Sequence, residues 1–489
     1  MVDAHREALA FLRKESLDVF NRLHSINEDV AFVNQVHAVY SDIPILPNLR
    51  CGAWYTDPAI ATDCPAYFKS TDGHFSNWSF NLRRPNLHLL PLAAKNDGKG
   101  IVLVDSTRAG KRLPDALAKT VPIWCVVVNR AVLLRFPENK EGWDTALYTP
   151  PAAVSAQEHA QIAARIDVWA EALATSSYTL PNLPRPLRPV WVTPASGTLP
   201  IPPPTCIPII CVSASQVADG TARRAGGFAY IQGSGDDHEL WGEGLTPELF
   251  WTHRTALLEA QRGELPALAE RLVTGSASVT TAAPATRVGP TPIARVNGRL
   301  LIGALADVPT DEAKLDADTA YILILPSTSA SPSSTPSPPS LAAPSRILRL
   351  PSPTGKKSQL TLLQSIFPQS VSFARSHLHA VRRLCIACED GADLSVGVAL
   401  VLLGVFLGGD GALLPSLNTS DSEAEGASGP VMTPSPTAGG GITKETLRTR
   451  LEWIIASRPT ANPSRATLKR VNEFLMSERG WRRGSSVDR

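Results

Sequence analysis

The chain has little of several features that would restrict its class at once. Its 489 residues contain only seven cysteines, an odd and scattered set, which favours reduced intracellular thiols over a secreted disulfide framework. The first residues carry charges where a signal peptide would be apolar. The longest apolar run, about 394–409, is shorter than the roughly 20 residues of a membrane-spanning helix. We therefore expect a cytoplasmic protein that binds no membrane.

The chain also has almost no excess of one charge over the other. The net charge is only +2, so no global field attracts nucleic acid and any RNA site must be a local patch. Paired arginines such as Arg83 and Arg84 are candidates for such a patch, although pairs of this kind are usually solvated surface. A zinc site is not indicated, because the C-x-x-C pair of Cys385 and Cys388 has no second pair to complete it.

The length predicts two or three domains, and alternating strand and helix signals predict an α/β fold. We expect an N-terminal mixed α/β catalytic domain over 1–275 and a second α/β domain over 347–480. Between and after them we predict a partly ordered connection over 276–346 with a disordered Ser/Pro linker at 327–346, a disordered insertion at 417–441 and a tail at 481–489.

Periodicity places the main elements. It predicts helices over 8–40 with a break at 27–29, over 155–175, over the apolar run from Leu394, and over 443–457 and 464–477, where Thr443 and Ser464 are plausible N-caps. Apolar runs predict strands at 101–104, 123–128 and 207–212.

The most informative stretch is the basic loop, Asp105-Ser106-Thr107-Arg108-Ala109-Gly110-Lys111-Arg112, which follows a predicted strand and precedes a predicted helix start at 113–117. Backbone amides at a helix start and nearby cations both favour phosphate oxygens, and the acid suits magnesium or a sugar hydroxyl. The loop is not a Walker A motif, because Gly110 is its only glycine. The alternative interpretation is an ordinary basic surface loop.

A second stretch, the acidic loop of residues 230–239, follows a glycine pair and ends in four polar residues, Asp236, Asp237, His238 and Glu239. Adjacent carboxylates repel one another unless a cation or base chemistry uses them. Oxygen ligands of this kind suit magnesium. The alternative is a solvated acidic turn.

A third stretch, the aromatic segment of residues 67–84, interleaves aromatic side chains with Lys69, His74, Arg83 and Arg84. Such mixtures suit stacking on bases and pairing with backbone phosphates. An ordinary β-hairpin with a turn at 71–73 is the alternative.

Taken together, these stretches resemble the fungal and plant family of initiator tRNA 2′-O-ribosyl phosphate transferases. The resemblance rests on CGAWY at 51–55, YFKSTDGHFSNWSFNLRRPNLHLLPL at 67–92, IVLVDSTRAGKRLPDALAKTVPIWC at 101–125 and YIQGSGDDHELWGEGLTPELFW at 230–251. It implies transfer of 5-phosphoribose from phosphoribosyl pyrophosphate to the 2′-hydroxyl of adenosine 64 of initiator methionine tRNA. In that family the added group keeps the initiator tRNA out of elongation.

The implied chemistry assigns roles to these residues. For the donor phosphates we assign Ser106, Thr107, Arg108, Gly110, Lys111 and Arg112, and for ribose hydroxyls or Mg²⁺ we assign Asp105. Asp236, Asp237 and Glu239 are candidates for Mg²⁺ and for the base that activates the 2′-hydroxyl, and His238 is a second candidate base. Lys69, His74, Arg83 and Arg84 would contact the tRNA or the donor.

The cysteine loop, residues 388–395, partly matches the H-C-x-x-x-x-x-R-[ST] phosphate loop of cysteine-dependent phosphatases. Cys388, Gly391 and Ser395 fall in place, but Ala387 and Leu394 stand where the motif has histidine and arginine. Losing the arginine removes the phosphate clamp. In the resembled family this region has a dual-specificity-phosphatase-like fold, and we expect a fold remnant that packs and positions RNA. A phosphatase and a non-catalytic tRNA-binding adaptor are the rival functions.

Overall fold

A computed structural model describes residues 2–49, 51–138, 141–217, 223–278, 289–327, 345–353, 356–378, 383–414 and 442–476. The chain divides into two compact units, Met1–Ala283 and Pro284–Arg489. Each unit has its own parallel sheet, and each is described by itself below.

The first unit is built on four parallel strands in the order β1-β2-β4-β3. The strands are β1 (Ile45–Pro47), β2 (Ile101–Asp105), β3 (Leu187–Val192) and β4 (Ile207–Ser213). Every residue of β2 and β4 is buried, as expected for central strands of a parallel sheet covered on both faces. Asp105 pairs with Ser213 in the register, so the ends of these two strands share one edge of the sheet.

Nine helices belong to this unit within the described residues. They are α1 (Val2–Leu17), α2 (Val19–Val39), α3 (Leu89–Gly98, with non-helical backbone at 95–97), α4 (Val121–Arg135), α5 (Ala156–Ala163), α6 (Ile166–Ala174), α7 (Pro247–Thr252), α8 (Arg254–Glu259) and α9 (Leu265–Ser278). The predicted single helix over 155–175 is therefore two helices, α5 and α6.

Helix α2 corrects the predicted break at 27–29, because it runs without interruption through that segment. The real boundary lies at Asp18, whose side chain caps the helix by accepting a hydrogen bond from the Asn21 amide at 3.0 Å. Asp29 is tolerated inside the helix because its carboxyl is buried and hydrogen-bonded to other parts of the unit.

Residues 123–128, predicted as a strand, lie instead in helix α4, which directly follows a π-helical turn at Ala116–Thr120. The apolar run continues past 128, and helices that are apolar on all sides belong in protein interiors. The continuous helix 116–135 is long and apolar enough to span a membrane, but 83% of its apolar window is buried inside the protein. It behaves as a core helix.

The second unit has a five-stranded sheet in the order β5-β6-β9-β7-β8, in which β5 alone is antiparallel to its neighbour. The strands are β5 (Thr291–Pro292), β6 (Leu300–Ala304), β7 (Thr319–Ser327), β8 (Ile347–Pro353) and β9 (Arg383–Cys388). The helices are α10 (Lys356–Thr361), α11 (Phe367–His377), α12 (Leu394–Phe406), α13 (Lys444–Ser457) and α14 (Arg465–Met476), with a π-helical turn at Leu362–Ile366.

The predicted connection over 276–346 is wrong for 289–327, because these residues supply β5, β6 and β7 to the second sheet. The segment 328–344, most of the predicted Ser/Pro linker, lies outside the described residues, as do 415–441 and the tail from 477. The two C-terminal helices are confirmed. Thr443 caps α13, and the Ser464 hydroxyl accepts from the Thr467 amide at 3.1 Å at the start of α14.

Candidate active site

The basic loop begins where β2 ends, and its first residue is sealed inside the unit. Asp105 is fully buried, and its Oδ1 accepts hydrogen bonds at 2.8 Å from the Ser106 amide and at 2.8 Å from the Cys51 thiol. Its Oδ2 accepts from the Asn48 side chain at 2.8 Å. Both carboxylate oxygens thus bond protein groups, so the structure does not present Asp105 to a ribose or a magnesium ion as the sequence predicted. Its place at the end of a buried strand makes it a support for the loop.

Ser106 and Thr107 are buried as well. The Ser106 hydroxyl lies 2.6 Å from that of Ser215, which follows the neighbouring strand β4. This contact joins the ends of the two central strands. The hydroxyl of Ser106 is therefore committed to the protein, and the structure does not expose it to donor phosphates as predicted.

The rest of the basic loop faces outward. Arg108, Gly110 and Arg112 are exposed, and neither arginine forms an ion pair with any residue that the structure describes. Lys111 is half-buried and pairs with Asp115 at 2.9 Å. Gly110 has φ +85°, a left-handed conformation that favours glycine. The loop thus offers two exposed cations and an open backbone at its tip, which suits an anionic ligand.

The acidic loop packs directly against the basic loop. A Cβ on Gly233 would lie 2.3 Å from the Thr107 carbonyl oxygen, so only glycine permits this approach, and its φ is +68°. The Gln232 side chain donates to the Lys111 carbonyl at 2.6 Å. The structure therefore brings together two stretches that the sequence singled out separately.

The four polar residues at the end of the acidic loop do not converge as a metal-binding group. Among the residues described, no set of three or more His, Cys, Asp and Glu side chains could hold a metal ion. Asp237 and Glu239 are exposed, and His238 begins a short 3₁₀ turn (His238–Leu240) with its ring 5.6 Å from that of Trp54. Asp236, Asp237 and Glu239 are therefore not gathered into the three-carboxylate magnesium site that the sequence predicted, and the backbone at Asp237 is left-handed (φ +50°).

The aromatic segment packs on the turn that follows the basic loop. It contains no strand, so the hairpin alternative is wrong, and it forms a 3₁₀ turn at Ser70–Gly73 instead. A Cβ on Gly73 would lie 2.7 Å from the Asp115 carbonyl oxygen, and the Thr120 hydroxyl donates to the Lys69 carbonyl at 3.1 Å. All three stretches thus meet around residues 105–120.

An ion-pair network holds this junction. Buried Lys119 lies 3.0 Å from Asp115 and 2.9 Å from Glu158, which also accepts from the indole of Trp78 at 2.9 Å. Burial would raise the pKa of Asp115, but hydrogen bonds from Lys111 and Lys119 hold it below its usual value. Asp115 and Lys119 therefore stay charged, and their ion pairs fix the position of the π-helical turn.

The cationic residues of the aromatic segment divide into two kinds. Arg84 Nη2 donates to both carboxylate oxygens of Asp72, at 2.9 and 3.2 Å, and the arginine is largely buried, so it holds the segment together. Arg83 is partly buried, Lys69 is half-buried and His74 is exposed, 3.9 Å from Asp115. His74 is thus the most accessible of the four predicted ligand contacts, and Lys69 and Arg83 are partly accessible.

The cysteine loop lies in the second unit, between β9 and α12, as its pattern predicted. Cys388 is buried, with its sulfur 3.1 Å from Asp390 Oδ1 and 3.1 Å from the Ser395 hydroxyl. Burial raises the pKa of the thiol, the hydrogen bond from Ser395 lowers it, and Asp390 raises it again, for a net increase. A neutral thiol beside a carboxylate is a poor nucleophile toward phosphate.

The surroundings of the cysteine loop are acidic. An open pocket of about 520 Å³ beside Cys388 is lined by Glu389, Asp390 and Asp393 together with apolar residues of β7 and β8. At the back of the loop, Arg458 donates to the Gly391 carbonyl at 3.0 Å, so this arginine supports the loop and bonds its backbone. The rival phosphatase interpretation is not supported by this geometry.

Comparison with known proteins matches the two units to two domains of one family. Residues 12–274 match the Rit1 N-terminal domain, and residues 346–475 match the Rit1 DUSP-like domain. The chain is 31% identical to the tRNA A64-2′-O-ribosylphosphate transferase of Saccharomyces cerevisiae over 95% of its own length and 93% of the relative. The chain belongs to the Rit1 family. It is also 32% identical to an uncharacterized protein of Schizosaccharomyces pombe, over 94% of each chain.

Membership of the Rit1 family confirms the predicted family and fold class, a mixed α/β unit followed by a phosphatase-like one. Sequence reasoning missed several residues of the first-unit site that act from inside the protein. They are Asp29, Asn48, Cys51 and Ser215. Asn48 and Ser215 could have been found, because each stands just after a strand that ends at the same sheet edge as β2.

Proposed function

We propose that this Rit1 chain is a pentosyltransferase that transfers 5-phosphoribose from phosphoribosyl pyrophosphate to the 2′-hydroxyl of adenosine 64 of initiator methionine tRNA. The name of the budding-yeast relative carries the modified adenosine, the 2′-oxygen and the ribosyl phosphate group. Both family domains occur here in sequence along the same chain. The product would be an initiator tRNA excluded from elongation, and the reaction would take place in the cytoplasm.

The contact between the basic and acidic loops carries this proposal. It lies at the carboxyl edge of a parallel sheet, where α/β folds bind ligands. Exposed cations at Arg108 and Arg112 stand on one side of the contact, and Asp237 with His238 stands on the other. A donor with a pyrophosphate leaving group and an acceptor hydroxyl needs both kinds of group.

The reaction breaks the bond between C1 of the ribose and the pyrophosphate oxygen, which leaves with the electron pair. A bond forms between C1 and the 2′-oxygen of the adenosine, whose proton passes to a base. Positive charge develops on the ribose and negative charge on the leaving pyrophosphate. Arg108, Lys111 and Arg112 would stabilise the pyrophosphate as its charge grows. Asp237 and His238 are the candidate bases.

A magnesium ion at this site would have few protein ligands. The described residues build no three-ligand group, but magnesium commonly takes one or two carboxylates and completes its shell with phosphate oxygens and water. Asp236 and Asp237 are the residues that would hold it beside the donor. Such an ion would supply charge neutralisation to the pyrophosphate.

The tRNA would be held by the aromatic segment, with Lys69 and His74 as phosphate contacts and exposed Phe75 as a stacking surface. Because the net charge of the chain is only +2, RNA affinity should depend on this patch and on salt.

The deciding experiment uses purified full-length protein, unmodified initiator tRNA and donor labelled in its ribose, with and without Mg²⁺. Label on the initiator tRNA, absent from elongator tRNA and abolished by a 2′-O-methyl group at adenosine 64, is the expected result. Tight tRNA binding without label under any metal condition would overturn the proposal in favour of an RNA-binding adaptor.

A further inference from the structure

Helix α2 carries an unusual row of buried polar residues. Asn21, Ser25 and Asp29 are 0%, 0% and 3% exposed. They are spaced four residues apart, so they lie one above another on the same face of the helix. We call this row the polar ladder.

The polar ladder receives the acidic loop and the residue just before it. Asn21 Oδ1 accepts from the Ala229 amide at 3.0 Å, and the Ser25 hydroxyl accepts from the Ile231 amide at 2.8 Å. Asp29 Oδ1 accepts from the Tyr230 hydroxyl at 2.7 Å. Alternate amides of an irregular segment are thus satisfied inside the protein by one helix.

Ser215 extends the polar ladder to the basic loop. Its hydroxyl donates to Asp29 Oδ2 at 2.5 Å, lies 2.6 Å from the Ser106 hydroxyl and accepts from the Gly233 amide at 3.2 Å. Ser215 is only 2% exposed. One buried hydroxyl therefore joins α2, the basic loop and the acidic loop.

Burying these polar side chains costs free energy unless each polar group forms a hydrogen bond. Apolar residues at the same positions would avoid this cost. Burial raises the pKa of Asp29 to about 8, against hydrogen bonds from Ser215 and Tyr230 that lower it. The raised pKa favours the protonated carboxyl near pH 7, and asparagine is a close isostere of that form.

We propose that the polar ladder and Ser215 are positioning residues, which set the spacing between the basic and acidic loops and so control the rate of transfer. This inference rests on the proposed function for its kinetic meaning. The polar ladder and Ser215 bond buried groups at the base of the loops, and Asn21 and Ser25 also bond groups of the N-terminal helices. None of these contacts involves the exposed cations of the basic loop. Misplacing reacting groups by about 1 Å can cost about 100-fold in rate.

The experiment compares Ser215→Ala, Asp29→Leu and Asp29→Asn with the full-length protein, by label transfer to initiator tRNA. We expect kcat to fall about 10- to 100-fold in the first two variants, while KM for either substrate changes less than about threefold. Asp29→Asn should restore kcat to within about threefold, because the amide keeps the shape of the protonated carboxyl, with one acceptor oxygen and one donor group.

The matched control is Asn129→Ala. Asn129 is equally buried and makes two hydrogen bonds to the Leu187 backbone, but at the amino end of β3, away from both loops. It should lower the thermal midpoint without lowering kcat. A Ser215→Ala variant with unchanged kcat, or an Asp29→Asn variant as impaired as Asp29→Leu, would overturn the proposal.

A second readout separates this proposal from the proposed function. Hydrogen exchange at the Ile231 and Gly233 amides should become at least about tenfold faster in Ser215→Ala. If the wild-type protein transfers no label, the proposed function fails, and exchange still decides whether the ladder holds the loops. If Ser215→Ala does not fold, Ser25→Ala, which removes the acceptor of the Ile231 amide, takes its place with the same expected results.

Discussion

The chain contains two loops that leave the carboxyl end of a central parallel strand and lead to a buried helix, and they present opposite charges. The basic loop after β2 buries its acid, Asp105, and turns Arg108 and Arg112 outward. The cysteine loop after β9 buries a neutral thiol and surrounds it with Asp390 and other carboxylates. Shared topology therefore gives two possible phosphate sites, and the side-chain charges leave only the first suited to phosphate.

The largest effect is expected from removing the outward cations of the basic loop. The double variant Arg108→Ala, Arg112→Ala should lower kcat/KM for transfer by about 10²- to 10⁴-fold, because preorganised charge on a leaving group is worth about that much. Label transfer measures it. Arg271→Ala, an exposed arginine of α9, is the control and should retain activity. Equal loss in both variants would mean that general charge, and not this loop, is required.

The buried acid of the basic loop should matter for stability. Asp105→Ala leaves the Asn48 side chain, the Cys51 thiol and the Ser106 amide without their acceptor. We expect a loss of about 3 kcal/mol, read by calorimetry as a thermal midpoint lower by about 5–10 °C. Asp105→Asn keeps one acceptor and should lose less. A stable Asp105→Ala protein that is merely inactive would restore the ligand-binding role first predicted for Asp105.

The two loops also differ in how closely their glycines are packed. A Cβ on Gly391 would lie 2.5 Å from the Ala304 amide nitrogen, whereas one on Gly110 meets no described atom within 4 Å, and both have positive φ. Gly391→Ala should therefore cost about 3 kcal/mol, and Gly110→Ala only about 1 kcal/mol from backbone strain. Thermal midpoints of the two variants test this order, and a reversed order would contradict the packing described for the cysteine loop.

The two loops also differ in the residue that supports them. Asp29 supports the basic loop through Ser215, and Arg458 supports the cysteine loop. Because the folded pKa of Asp29 is raised to about 8, the folded state holds a proton that the unfolded state releases above pH 4. Stability should therefore fall as the pH rises from about 4 to about 8, by up to about 1.4 kcal/mol per pH unit. Asp29→Asn should flatten this slope in calorimetry from pH 5 to pH 8. An unchanged slope would show that other groups cause it.

The smallest effect is expected in the cysteine loop. Cys388→Ser should change label transfer less than about twofold, since its buried neutral thiol is not a nucleophile. Slow alkylation of Cys388 by iodoacetamide at pH 7, followed by mass spectrometry, is the matching observation. A large loss of transfer in Cys388→Ser would join the two units in one mechanism.

Sequence alone predicted the parts of this molecule that have a local signature. The basic loop, the acidic loop and the capped helices after 442 were found, because strand ends, glycines and N-caps leave their mark within a few residues. The strand predicted at 123–128 failed, because an apolar run does not reveal whether it is helix or strand.

Local sequence patterns could not reveal the residues that support the site. Asn21, Ser25 and Asp29 look like breaks in an amphipathic helix until the residues they bond are known, and those residues lie about 200 positions away. The burial of Asp105 could not be predicted either, because an acid at the end of a strand is typical of a ligand-binding residue. Its partners Asn48 and Cys51 come from a different part of the chain.

The polar ladder also has a consequence for synthesis on the ribosome. The Asn21 side chain waits for the amide of Ala229, 208 residues later, which at roughly 5–20 residues per second is about 10 to 40 seconds of translation. During that time the acceptor atoms of the polar ladder that later bond the acidic loop can only be hydrated, although sheet residues that pack on α2, such as Ile45 and Val102, have already been made. The first unit can close around its site only after the acidic loop has left the exit tunnel.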